Sequence, residues 1–307
     1  MPSESPFRKV LLIGATGSIG SVILRALLAE PTLSVTILRR ESSSSSTNPP
    51  NVTTITVPDT YPTASLIPAF TGQDAIISCL TTLSTRDQLR FISAAISAGV
   101  RRYLPSEYGL NNMRADAQSL CPPVFGAKGA VQAHLREAAD KGLIEWTSIS
   151  CGMWIGWSMR NNFLGMRVRD KKFEMWDEGE GRFSVTTEEN TALAVVNALV
   201  KIPEETKNTN VMISEMVVTQ KELLAEIERQ TGNKFVVERV NSYKKIPELQ
   251  AAYAGGDVAA AYGLIEAGFV TGRYGGDLEK EGELFNDRLG LKGHTLQEVV
   301  ADALASL

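Results

Sequence analysis

Lys9-Val-Leu-Leu-Ile-Gly-Ala-Thr-Gly-Ser-Ile-Gly20 is the stretch that decides the fold. Val10 to Ile13 is a short apolar run with the look of a buried strand. From Ser18 to Glu30, Ile19, Val22, Ile23, Ala26 and Leu27 recur at helical spacing. The period changes at the glycines. Gly14 permits a tight turn off the strand, Gly17 lets backbone approach a pyrophosphate with no Cβ in the way, and Gly20 lets helix and strand pack closely. An anion at such a corner faces the helix N-terminus, where unpaired backbone N–H groups and the positive end of the helix dipole favour it. A turn with no ligand is the alternative reading, and the strand before and helix after weigh against it. Gly14, Thr16, Gly17, Ser18, Ile19 and Gly20 are therefore candidate dinucleotide contacts.

Outward from this corner, Ser34 to Leu38 is a second strand-like run, ending in Arg39-Arg40-Glu41 and then serines 42 to 46. An NAD site places an Asp or Glu at this strand end to accept from the ribose 2′-OH, whereas arginine suits a 2′-phosphate. Arg39 and Arg40 are read as NADP(H) determinants, with a solvated basic pair as the alternative. The serine run reads as a loop beside them.

Val52 to Val57 and Asp74 to Leu80 are a third and fourth strand, with a helical piece over Leu66 to Phe70 between them. Thr81, Thr82 and Ser84 come next, where hydroxyls can reach a cofactor or cap the next helix; Ser84 suits the cap and Thr81 the cofactor. Arg86 to Gly99 reads as a helix closed by glycine. Arg101 to Leu104 is a fifth strand, broken by Pro105-Ser-Glu-Tyr-Gly109 at the sheet's carboxyl edge, where ligands bind in open α/β sheets. Asn111 to Pro123 reads as a loop, Val124 to Lys141 as a helix and Ile144 to Ser150 as a sixth strand. The alternation predicts an α/β fold, a Rossmann-type doubly wound parallel sheet.

After Gly152, large soft side chains crowd together at Met153, Trp154, Trp157, Met159, Phe163 and Met166, which suits either an adaptable apolar pocket or ordinary core. Phe173 to Asp177 and Gly181 to Val185 read as short strands or a hairpin, Thr187 to Val200 as a helix and Asn210 to Ser214 as a seventh strand. Thr219-Gln-Lys-Glu222 is a capping pattern before Leu223 to Thr231. Phe235 to Val240 reads as a strand, Ile246 to Gly272 as mainly helical and Thr295 to Leu307 as a last helix. NADP-binding residues 1–154 plus about 186–215 are thus expected to form one domain. A smaller α/β substrate-binding domain is expected from about 155–185 and 216–307.

With 31 basic and 35 acidic residues and a pI near 5.5, the chain shows no basic face for nucleic acid. No apolar run approaches the roughly 20 residues of a membrane span, and the first nine residues carry no signal core, so a cytoplasmic protein is expected. Cys79, Cys121 and Cys151 are widely spaced and read as free buried thiols. His134 and His294 have no ligand partner at short spacing, so no metal is expected. No Gly-x-Ser-x-Gly elbow occurs.

Gly14-Ala-Thr-Gly-Ser-Ile-Gly20, Leu38-Arg-Arg-Glu-Ser42, Tyr103-Leu-Pro-Ser-Glu-Tyr-Gly109 and Phe125-Gly-Ala-Lys128 together resemble the NmrA-like branch of atypical short-chain dehydrogenases. The likeness is stronger to its isoflavone reductase and phenylcoumaran benzylic ether reductase relatives, and it covers nearly the whole chain. It implies an NADPH-dependent reductase of a small hydrophobic metabolite of aromatic or polyketide type, with Lys128 as the catalytic lysine. Candidate cofactor contacts in this part of the chain are Thr81, Ser106, Glu107, Lys128, Cys151 and Gly152, and candidate substrate contacts are Tyr108, Met153, Trp154 and Trp157. Tyr108 stands where the family usually has phenylalanine, and Ser150 to Trp154 departs from an asparagine-containing stretch. Conventional short-chain dehydrogenases set a tyrosine four residues before the lysine; Val124 occupies that place and moves no proton. Lys128 acts as acid or base itself only where its surroundings bring its pKa toward neutrality. The alternative is a non-catalytic NADP(H)-sensing regulator that binds a protein partner. A monomer or homodimer is expected.

Overall fold

The computed structural model describes residues 7–43 and 52–307. Six strands, with helices between all but β2 and β3, occupy the first half of the chain among the described residues: β1 (Lys9–Ile13), β2 (Ser34–Arg40), β3 (Thr53–Val57), β4 (Ala75–Ser78), β5 (Arg102–Leu104) and β6 (Glu145–Ser150). Six more come after them: β7 (Met166–Arg167), β8 (Lys172–Trp176), β9 (Phe183–Val185), β10 (Thr209–Met212), β11 (Met216–Val218) and β12 (Val236–Val240). One sheet has the order β10-β6-β5-β4-β1-β2-β3. Within it β1 is parallel to β2 and β4, and the pairs β2/β3, β4/β5 and β5/β6 are parallel too. Val10 to Ile13 and Ala75 to Ser78 are buried throughout, so these strands are unbroken apolar runs with no alternation, as strands covered on both faces must be. The strand order reverses between β1 and β4. That reversal opens a crevice at the carboxyl ends.

The chain divides into two compact units. The first comprises residues within Met1–Glu107, Ala130–Ile149 and Glu188–Val211 and carries the large sheet. Helix Ser18–Ala29 packs on Glu188–Val200, and Thr63–Phe70 on Gln88–Ser97. Arg102, fully buried in this unit, donates to Glu145 Oε2 at 2.7 Å and to the Pro203 carbonyl at 2.8 Å, and its guanidinium lies 4.7 Å from the Phe7 ring centroid.

The second unit comprises Tyr108–Gly129, Ser150–Thr187 and Met212–Leu307. β8 lies between β7 and β12, and β9 pairs antiparallel with β11. Tyr108–Gly129, expected with the nucleotide domain, belongs here because Leu110, Ala117, Leu120, Val124 and Phe125 pack in the same apolar core as Met159, Phe173 and Leu264.

Of the two readings for residues 173–185, short strands hold and the hairpin does not: β8 and β9 join different sheets, and Ser184 N–H donates to Gly276 O while a Cβ on Gly181 would meet Val270 O at 2.0 Å. Several other local expectations are corrected. Residues 111–123 are not all loop. Ala115–Leu120 is a helix, too short to show a period, whose Ala117 and Leu120 are buried. The helix expected from Val124 begins as a π turn over Pro122–Gly126, where Cys121 O accepts from both Val124 and Gly126 N–H; the α-helix is Ala127–Asp140. Ile246 to Gly272 is two helices, Ser242–Ala254 and Ala260–Val270, broken after Gly255 and packed on each other. Ser84 caps no helix; it lies inside a 3-10 turn over Thr82–Asp87 and its N–H donates to Thr81 O. Strands β7 and β11 were not expected. Of the serine run, residues 44–46 lie outside the described residues.

Glu266 is 9% exposed within the second unit, and its Oε1 has no hydrogen-bond partner. Burial, reinforced by the charge of Glu174, pushes its carboxyl up to about 8 from the usual 4.5, with Arg167 opposing. Above pH 4.5 the unfolded chain has lost a proton that the folded chain keeps to about 8, so unfolding free energy falls with rising pH across that window. The slope is at most about 1.4 kcal/mol per pH unit. Glu266→Gln should remove it. Urea unfolding of both proteins between pH 5 and 9 checks this; parallel pH profiles would show that Glu266 does not titrate there.

Candidate dinucleotide-binding site

The register of the sheet brings the corner together. Ile13 lies level with Leu38 on β2 and with Ser78 on β4, so Gly14, Arg39 and Cys79 stand side by side at the carboxyl edge. Cys79 N–H donates to Ile13 O at 2.9 Å, and Gly14 has φ +80° with a built Cβ only 2.3 Å from Cys79 O. No side chain fits there. A Cβ on Gly20 would lie 2.0 Å from Gly14 O, because the first turn of helix Ser18–Ala29 rests directly on the Gly14 turn. Gly20→Ala is expected to cost about 1–3 kcal/mol through this overpacking, measured as a lowered urea midpoint. Unchanged stability would mean that the turn yields without cost.

Gly17 differs from both. It is the N-cap of the helix in ordinary extended geometry (φ −74°, ψ 172°), its N–H donates to Gly14 O at 3.0 Å, and no side-chain hydrogen bond caps the helix. A Cβ on Gly17 would be 3.3 Å from Gly14 O, tight but within reach of a small adjustment. The corner thus has the form of an anion cradle, with backbone donors at a helix start whose N-cap is glycine.

A cleft of about 360 Å³ opens over it, lined among others by Gly14, Thr16, Gly17, Arg39, Arg40 and Thr81. Six of the expected contacts therefore share one surface. Ser18, Ile19 and Gly20 are in the helix's first turn and are not part of the lining. Asp59 and Tyr61, on the segment after β3, line the cleft as well and were not anticipated. The available signal was positional: β3 runs parallel to β2 with Val57 level with Arg40, so the segment leaving β3 must face the same crevice. Asp59 Oδ1 accepts from Ser42 N–H at 3.0 Å. Hydrogen bonds from the Ser42 side chain and backbone, with Arg40 nearby, hold its carboxyl below the usual range.

Ser106 and Glu107 belong to the first unit and are not part of the lining. Ser106 donates its hydroxyl to the carbonyl of Leu80, a lining residue, at 2.9 Å, and its N–H to Gln88 Oε1 at 2.7 Å. Glu107 is fully buried, with Oε2 accepting from Gln132 Nε2 at 2.8 Å.

The remaining expected residues are in the second unit. Lys128, 8% exposed, is the second residue of helix Ala127–Asp140, directly after the π turn that holds Val124. Burial pushes the neighbouring Cys121 thiol up to about 11, with the Lys128 charge opposing. Cys151 and Gly152 both donate their N–H to Gly109 O at 3.0 Å. Gly152 has φ +68°, and a Cβ there would strike Ser184 O at 2.1 Å. Tyr108 takes φ +32° and its ring lies 6.5 Å from that of Trp154. Met153 is buried and bonded to Ser184 O, and Trp157 packs edge-on against Phe163 at 5.5 Å. Among the described residues no group of three His, Cys, Asp or Glu could hold a metal ion, and no helix is long and apolar enough to cross a membrane.

The first unit carries a glycine corner at the sheet's switch point with an arginine pair beside it, and the NmrA-like family pattern matches residues 6–289. The chain belongs to the NmrA-like family. Oxidoreductase aprR of Aspergillus flavus is 32% identical over 296 residues, covering 96% of this NmrA-like chain and 98% of the relative. The isoflavone reductase homolog IRL of Zea mays is 27% identical, with 87% and 88% covered. Among solved structures, isoflavone reductase superposes with TM-score 0.76 at 22% identity, covering 96% of this chain and 99% of that one. AtPrR2 with NADP+ and (+)pinoresinol gives 0.75 at 20% identity, with 97% and 98% covered. At those identities the superpositions establish the fold, while the named sequence relatives make this an oxidoreductase of the family.

Proposed function

We propose that this protein is an NADPH-dependent reductase of a small hydrophobic molecule of aromatic or polyketide type. The observation that carries the reading is the lining of one cleft by Gly14, Gly17, Arg39 and Arg40. Gly17 and the helix start would take the pyrophosphate, and the two guanidiniums the 2′-phosphate, through charge-assisted bonds. That AtPrR2 is solved with NADP+ on the same fold supports this. Bound NADPH supplies the hydride. Thr81 lines the cleft and can offer its hydroxyl to the cofactor, while Ser106 braces the Leu80 backbone beside it. Lys128 would hold the nicotinamide ribose and exchange the proton that must accompany hydride transfer. The second unit acts as the substrate domain, with Tyr108, Met153, Trp154 and Trp157 as apolar walls and the backbone of Cys151 and Gly152 as cofactor contacts.

NADPH oxidation screened against aromatic and polyketide carbonyls, enones and benzylic ethers tests the activity. Intact NADPH binding without turnover on any of them would favour a cofactor-sensing regulator. Cofactor choice has its own test. Arg39→Ala with Arg40→Ala should weaken NADPH by about 10- to 10²-fold, the weight of one or two charged hydrogen bonds, and leave NADH nearly unchanged. Calorimetry showing equal affinities for both cofactors in the parent protein would refute the assignment of the arginines.

A further inference from the structure

We propose that Ser42 is a phosphorylation site, and that its phosphate takes the arginine pair and so blocks the 2′-phosphate of NADP(H). The proposal rests on the NADP(H) reading of the cleft. Arg39 and Arg40 stand three and two residues before Ser42, the spacing that basophilic Ser/Thr kinases read with an acidic groove. Ser42 is exposed, at the end of a turn that leaves the sheet. Ser43 N–H closes that turn onto Arg40 O at 3.1 Å, and Glu41 N–H ties it to Val57 O at 3.0 Å. The closure keeps residues 40 and 43 within about 7 Å, so a group on Ser42 is in reach of the Arg40 side chain.

Two fields act on a phosphate at this position, and they point the same way. In the unmodified protein the Ser42 N–H and side chain bond the Asp59 carboxylate. A phosphoserine of nearly two negative charges is repelled by that carboxylate and attracted by the guanidiniums, so it leaves the first for the second. A phosphate monoester dianion on Ser42 is also the same chemical group as the ribose 2′-phosphate. The pair cannot hold both. In the transfer itself the γ-phosphoryl of ATP forms a bond to Ser42 Oγ, the bond to the ADP oxygen breaks, the hydroxyl proton passes to the kinase's base, and ADP leaves.

The full-length protein, free of cofactor, is incubated with ATP and the catalytic subunit of a cAMP-dependent protein kinase, mapped by mass spectrometry and titrated with NADPH and NADH. One phosphate on Ser42 is expected, absent in Ser42→Ala, with labelling slowed by saturating NADPH. The Kd for NADPH should rise at least tenfold and that for NADH less than twofold, and phosphatase treatment should restore both. No label on Ser42, an unchanged NADPH affinity, or equal losses for both cofactors would overturn the proposal. A protein that prefers NADPH equally before and after labelling refutes only the phosphoserine switch. One that never prefers NADPH refutes the cofactor reading and the switch with it.

Discussion

Replacing Lys128 by alanine is expected to lower turnover by about 10²- to 10⁴-fold, the contribution of a positioned acid or base, while weakening NADPH binding less. The expectation follows from place and from elimination. Lys128 is 8% exposed at the second position of its helix, so most of its surface is held out of bulk water. Four residues earlier, Val124 is 1% exposed and has no proton to exchange. Four residues later, Gln132 is a neutral amide occupied with Glu107. Lys128→Arg should restore cofactor binding better than turnover, since a guanidinium keeps the charge and does not give up its proton. The check is steady-state kinetics on a substrate from the carbonyl, enone and ether panel, beside NADPH titration of each variant. Full turnover in Lys128→Ala would remove the lysine from the chemistry.

Gly17→Val should abolish useful NADPH binding, with a Kd raised by about 10²-fold or more, in a protein that still folds. The distinction from its neighbours is steric. At Gly14 and Gly20 a Cβ would collide with backbone at 2.3 and 2.0 Å, so substitution there damages the fold itself. At Gly17 the nearest atom is 3.3 Å away and φ is −74°, a conformation open to any residue. The cost of valine therefore falls on whatever must approach the helix start. Circular dichroism and thermal unfolding near those of the parent, together with lost calorimetric binding, is the expected pair of results. Normal NADPH affinity in a folded Gly17→Val protein would mean that the pyrophosphate lies elsewhere.

The sheet and the cleft at its carboxyl edge were legible because each signal is local. β1, β2 and β4 are short apolar runs whose burial pattern follows from composition, and the change of period at Gly14 to Gly20 marks where strand gives way to helix. Arg39 and Arg40 could be placed at the cleft from their position at a strand's carboxyl end alone. Helix Ala115–Leu120 and the two-residue β7 were not legible, since neither is long enough to repeat a pattern. Tyr108–Gly129 could not be assigned to a unit from its own residues, because it is fixed by packing against residues beyond position 150.

By itself, then, the sequence determined the βα corner, the parallel sheet and the basic pair beside it. Glycine backbone freedom, apolar periodicity and charge act over a few residues and are written in consecutive positions. The tertiary structure alone decided that β8 and β9 join different sheets and that Asp59 reaches the Ser42 turn. It alone decided that Gly20 is required by the Gly14 carbonyl and that Glu266 is buried near Glu174. Each of these is a meeting of groups from separate stretches of chain, and its energy depends on a distance that no local pattern encodes.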